Sequence, residues 1–152
     1  MIVYINGNDN RCKQLAKLMI ADGYQIQEDS RLISSCDIIY LGKDGQGFEQ
    51  VDFKNNAVVL SLLKNQRLCY LSKLKGFNYR YLYSDEDFVV ENTHISDEAV
   101  IAYMIIDNSI SLSNSNVLIL GYGHCGRDLA AKLEKFNAKV SISNRYSKNK
   151  RC

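Results

Sequence analysis

The stretch Asn116-Val-Leu-Ile-Leu-Gly-Tyr-Gly-His-Cys-Gly-Arg127 leaves a folding chain few choices. Four consecutive apolar residues, 117–120, read as a buried strand, and Gly121-x-Gly123-x-x-Gly126 follows without a gap. Residues 128–136 then carry Leu129, Leu133 and Phe136 at helical spacing. A strand running into such a turn and then a helix is a phosphate-binding arrangement. Gly121 permits the tight turn, Gly123 lets backbone approach a pyrophosphate, Gly126 lets helix lie against strand, and the helix N-terminus supplies N–H groups and positive dipole. A second strand, residues 139–143, completes a βαβ pattern, so the sequence predicts a dinucleotide-binding unit in which Gly121, Tyr122, Gly123, His124, Cys125 and Gly126 surround the nucleotide.

The remainder of the chain fixes the class of protein. Its 152 residues suffice for one ordinary domain, or for a small domain and part of another. At 46% hydrophobic, 24% charged and a net charge of +2, it lacks the basic excess of a nucleic-acid binder and the composition of a disordered chain. No apolar run has the length of a membrane span, and the N-terminus has no signal pattern, so a cytoplasmic location is expected. Five cysteines, widely spaced and never as CxxC, predict reduced thiols and no metal site.

Taken in order, residues 1–5 read as a strand, Asp9 or Asn10 as the cap of a helix bearing Leu15, Leu18 and Met19, and residues 24–27 as a second strand after Gly23. Strands follow at 35–41 and 56–61, a short helix within 62–74, and an edge strand at 77–83. The alternation predicts a mostly parallel sheet covered on both faces, a flavodoxin-like α/β domain over residues 1–90. Ser96 with Asp97 and Glu98 resembles a helix start, and the nearly all-apolar residues 99–106 predict a helix buried from two directions. The expected organisation is α/β throughout: a flavodoxin-like domain at 1–90, a linking helix at 91–110, and the first, incomplete βαβ of a Rossmann domain at 111–152.

Where the second strand ends, an NAD enzyme presents an acidic residue to the ribose hydroxyls. Here Asn144 and Arg145 stand there, followed by Lys148, Lys150 and Arg151. Loss of the anion and gain of cations favours the 2′-phosphate of NADP over NAD; for Lys150 and Arg151 a solvated basic tail is the competing reading. His124 is either a cation facing the pyrophosphate or an exposed polar residue. Cys125 reads as a small packing residue, and His94 as a loop histidine or a proton carrier.

Residues 117–130, with Asn92-Thr-His-Ile-Ser-Asp-Glu98 before them and Gly7-Asn-Asp-Asn-Arg11 near the start, resemble the A subunit of dipicolinate synthase, a family related in layout to the D-2-hydroxyacid dehydrogenases. The resemblance implies an NADP-dependent dehydrogenase that oxidises a small cyclic dicarboxylate precursor, with Asp9, Arg11, Thr93 and Glu98 as substrate-binding residues and no assigned catalytic acid or base. By their residue types alone, Asp9 reads equally as a helix cap and Glu98 as a first-turn carboxylate. His124 stands where the family often has Arg, and Ser96, Asp97 and Ala99 depart from its linking motif. The second half of a Rossmann sheet has no counterpart, so a fragment or a shortened relative is expected, inactive alone. The competing expectation is a non-catalytic nucleotide-binding or interaction module. A homodimer, or pairing with a second enzyme subunit, would cover the unfinished sheet.

Overall fold

The computed structural model describes residues 1–108 and 111–144, and the chain divides into two units, Met1–Asp85 and Glu86–Cys152. In the first, five strands form one sheet in the order β2-β1-β3-β4-β5: β1 (Ile2–Ile5), β2 (Gln25–Gln27), β3 (Ile38–Tyr40), β4 (Val58–Ser61) and β5 (Asn78–Tyr81). Every pairing is parallel, with the order reversing between β1 and β3. Two α-helices belong to this unit, α1 (Asn10–Ala21) and α2 (Gln66–Lys75), with two 3-10 segments, Ser30–Ser35 before β3 and Leu82–Ser84 after β5. The first of these takes the first residue of the strand expected at 35–41, because Asp29 caps it by accepting from Arg31 N.

Register explains where the core lies. Tyr4, Ile39, Val59 and Tyr79 face one another across β1, β3, β4 and β5, and the first three are buried with Ile33, Phe53, Leu68 and Phe77. Ser61 lies on this face too. Its hydroxyl is satisfied by Leu63 O and Tyr79 Oη, each at 2.7 Å, so burial leaves no polar group stranded. The opposite row, Val3, Ile38, Val58 and Asn78, is buried only at Val3. The two faces are covered unequally: α1 buries Cys12, half-buries Leu15, Ala16 and Met19, and leaves Leu18 and Ile20 exposed. β5 is the edge strand that its alternating rings predicted.

The second unit holds α3 (Glu86–Asn108), β6 (Asn116–Leu120), α4 (His124–Lys135) and β7 (Lys139–Ser143), with β6 and β7 parallel. Helix α3 starts at Glu86, so Ser96 caps nothing. Instead its hydroxyl donates to Asn92 O at 2.8 Å, the back-bond a serine makes inside a helix. The acidic first turn is supplied by Glu86 and Asp87. His94 consequently sits on a helix, and Glu98 is an exposed mid-helix residue. Nor is α3 buried all round: Ile101 joins the core with Leu112, Ile119, Ala130 and Leu133, while Ile95, Tyr103 and Ile106 are exposed. One face of the two-stranded sheet packs on this core through Val117, Ile119 and Val140; Leu118 and Leu120 point from the other, 63% and 80% exposed.

Candidate functional site

The glycine turn joins the end of β6 to the start of α4. Gly121 has φ +114°, a conformation that L side chains rarely adopt, and its N–H donates to Ser143 O at 2.8 Å, tying the turn to β7. A Cβ on Gly126 would lie 2.3 Å from Gly121 O, so only glycine lets the helix come this close to the turn. Gly123 is the N-cap of α4, has ordinary extended backbone, and faces open space where a Cβ would stand. No side chain caps the helix, so the donors of its first turn are open to solvent or to an anion.

Beside this turn, α3 and α4 flank an open cleft of about 260 Å3 lined by Val90, Thr93, His94, His124, Arg127 and Asp128. His94 Nδ1 lies 2.7 Å from Asp128 Oδ1, and Lys132 Nζ donates to His94 O at 2.6 Å and stands 2.9 Å from Asp128 Oδ2. Asp97, 3% exposed, completes the cluster. Burial, reinforced by its hydrogen bond to Asp128 and that group's charge, pushes the Asp97 carboxyl up. Burial acts the same way on Asp128, but its contacts with Lys132 and His94 outweigh it and hold Asp128 below the usual range. Asp97 Oδ2 has no hydrogen-bond partner among the described residues, in keeping with a carboxyl whose pKa burial raises.

The expected site residues fall as follows. Thr93 is buried on α3 with Oγ1 3.7 Å from Cys125 Sγ, and Cys125 is exposed on α4, which corrects its reading as a packing residue. The Tyr122 ring lies 5.4 Å from the Arg127 guanidinium, and His124 Nδ1 3.6 Å from Glu86 Oε1. Thr93 and His124 thus line the cleft, with Cys125 against Thr93 and Tyr122 against Arg127; Glu98 does not line it. Asp9 and Arg11 belong to the first unit. There Asp9 caps α1, accepting from Cys12 N at 2.8 Å, and Arg11 reaches its carboxylate at 3.4 Å, so both have structural employment. Asn144 follows β7, whereas Arg145 and Lys148 lie outside the described residues. Arg127, Asp128, Lys132 and Asp97 were not among the expected residues; the i,i+4 spacing of Asp128 and Lys132 was the one local hint. Among the described residues no acidic, histidine and cysteine group of metal-binding size occurs, and no helix is long and apolar enough to cross a membrane.

No protein-family model matches the chain. Over 53 residues, 35% of its length, it is 32% identical to an adenosylhomocysteinase from Haloquadratum walsbyi, of which the matched part is 12%. Among solved structures, the A subunit of dipicolinate synthase from Bacillus halodurans superposes on 96% of this chain with a TM-score of 0.72 at 21% identity. A D-isomer specific 2-hydroxyacid dehydrogenase from Lactobacillus delbrueckii ssp. bulgaricus, solved with NAD, covers 95% with a TM-score of 0.50 at 10% identity. The chain spans 62% of the first of these proteins and 53% of the second. At such identities the likeness is one of architecture: this chain has the α/β fold shared by the dipicolinate synthase A subunits and the D-2-hydroxyacid dehydrogenases.

Proposed function

We propose that the chain is the dinucleotide-binding part of an NADP-dependent oxidoreductase acting on a small cyclic dicarboxylate, in the manner of the A subunit of dipicolinate synthase. The observation that carries this reading is the glycine turn. Gly121 is left-handed, Gly126 packs too closely for a side chain, and an uncapped helix N-terminus follows. The preference for NADP rests on Asn144, Arg145 and Lys148, which replace the acidic residue of an NAD site with neutral and cationic groups. Asp9, Arg11, Thr93 and Glu98 are assigned to the substrate on the family resemblance. Free thiols at Cys12, Cys36, Cys69 and Cys125 accord with a reducing, cytoplasmic setting.

Calorimetric titration with NADP+ and NAD+ tests the reading. NADP+ binds more tightly, and Arg145→Asp reverses the order by removing the partner of the 2′-phosphate. Failure of both nucleotides to bind removes the oxidoreductase reading, and equal affinities unchanged by Arg145→Asp remove the NADP preference alone. A second reading, a non-catalytic nucleotide-binding or interaction module, is favoured by the bare Leu118 and Leu120 face, which suits contact with another copy or with a different protein chain.

A further inference from the structure

Charge is unevenly spread along the first unit. Between Phe53 and Ser84 the sequence has six lysines and arginines and no aspartate or glutamate, in a chain with 17 acidic residues. Three of those cations are answered from outside the segment: Lys54 pairs with Asp37, Lys75 with Asp52 at 3.0 Å, and Arg67 has Glu49 within electrostatic reach. Lys64, Lys73 and Arg80 are exposed and have no ion-pair partner among the described residues. Cations gathered without counter-charges make a surface that attracts an anionic partner.

They gather at one edge of the sheet. Lys64 and Lys73 line an open cleft of about 230 Å3 on α2 with Gln66, Cys69 and Tyr70, and Lys64 also lies over the Tyr81 ring of β5, 5.9 Å from its centroid. The Tyr70 ring is 63% exposed, and Leu74, one turn further along α2, is exposed as well. β5 is the last strand of its sheet. Asn78 N donates inward to Ala57 O at 2.8 Å, so by strand alternation Asn78 and Arg80 hold the ladder to β4, while Tyr79 and Tyr81 turn their peptide groups outward. Tyr81 O accepts from Ser84 Oγ at 2.6 Å; the Tyr79 N–H, the Tyr79 carbonyl and the Tyr81 N–H have no strand beside them. Arg80 stands on one face of this edge, and Tyr81 with Lys64 over it on the other.

A single-stranded nucleic acid would meet the cations and stack on Tyr70, but it offers no ladder to the peptide groups of the edge, and the whole chain carries only +2. An acidic polypeptide answers both features, since its main chain pairs with the edge while its alternate side chains fall on the Arg80 face and on the Lys64 face. We propose that the β5 edge, with the basic cleft of α2 beside it, is a docking site for an extended acidic segment of another polypeptide, which adds to the five-stranded sheet beyond β5. Carboxylates on one face of the added strand meet Arg80; on the other they meet Lys64 and Lys73, and an aromatic or aliphatic side chain covers Tyr70. The site lies wholly in the first unit and takes nothing from the glycine turn, so it stands or falls apart from the nucleotide reading.

The test uses a fluorescein-labelled peptide of about nine residues, a long strand's length, that alternates glutamate with valine and tyrosine; its binding to the whole chain is followed by fluorescence anisotropy. Affinity should fall about tenfold between about 50 mM and about 300 mM salt, and about tenfold again in Lys64→Glu and in Arg80→Glu. Both side chains are exposed, so these variants keep the fold, which circular dichroism checks. Hydrogen exchange at the Tyr79 amide should slow at least about tenfold in the complex, because the added strand takes up that N–H. Of two versions of the peptide N-methylated on alternate residues, the one whose methyl groups face β5 should not bind. The proposal is overturned if the acidic peptide does not bind, if a version with lysine for glutamate binds as tightly, if both N-methylated versions bind like the parent peptide, or if Tyr79 exchanges at an unchanged rate. Tighter binding of an oligothymidylate of equal length also overturns it, and makes the patch a surface for single-stranded nucleic acid.

Discussion

Gly123 and Gly126 stand three residues apart in one turn and meet opposite surroundings. A methyl group on Gly126 collides with backbone, Gly121 O at 2.3 Å, which cannot swing aside as a side chain would; the same group on Gly123 meets open space. Gly126→Ala is expected to destabilise the second unit by about 1–3 kcal/mol, as overpacking does. Gly123→Ala should melt like the parent and lose affinity only for a ligand that approaches the backbone there. Thermal unfolding with nucleotide titration on both variants checks this; equal losses of stability would contradict it. Such glycines are legible in sequence because the constraints on them are local. The His94, Asp97, Asp128 and Lys132 cluster was not, since residues on α3 and α4 meet only after the two helices pack, and neither segment alone says which of its polar residues will face the other.

Helix α3 shows how an element can be read correctly in kind and wrongly in extent. Ser96, Asp97 and Glu98 carry a start signal, yet Glu86 and Asp87 carry one too, and the apolar residues Phe88, Val89 and Val90 after them let the helix propagate from the earlier site. Asp97 is then buried against α4 instead of answering a dipole. The linkage follows in sign. A carboxyl whose folded pKa is raised contributes most below about pH 4, where the unfolded group is also protonated, and loses that contribution as pH rises through the folded value. Asp97→Asn fixes the neutral form and can still donate to Asp128. It should therefore be more stable than the parent near pH 7, lose the advantage near pH 3, and flatten the pH dependence between. Urea midpoints at the two pH values decide it, and parallel pH profiles would count against a raised Asp97 carboxyl. In the first unit the strands and α2 were legible from alternation and punctuation, whereas the poor cover over Ile38 and Val58 was not, because α1 spends its own apolar residues, Leu18 and Ile20, on solvent.

Each unit has its own core, one around Ile39, Val59 and Leu68, the other around Ile119 and Leu133. The second is short of material: two strands leave Leu118 and Leu120 bare on one face. Burying apolar surface contributes roughly 25 cal/mol per Å2, so covering both leucines is worth a few kcal/mol before the entropy of association. Light scattering on the chain alone is expected to give a mass above the 17.3 kDa of one copy, returning to it when Leu118→Lys and Leu120→Lys are combined. A single-copy mass for the parent at every concentration would show that this face does not drive association. The pairing pattern also sets the order of events during folding. All five pairings among the described residues are parallel, joining Val3 to Ile26 and to Ile38, Ile39 to Val59, Val59 to Tyr79, and Val117 to Val140. None of them is a hairpin that could act as a fast local nucleus, so each ladder must wait for a crossover of about twenty residues or more to close first. As the chain leaves a ribosome, β1 has no partner until β2 or β3 follows, and β6 none until nearly the last described residue has emerged; the half-made sheet is open to other chains for that interval.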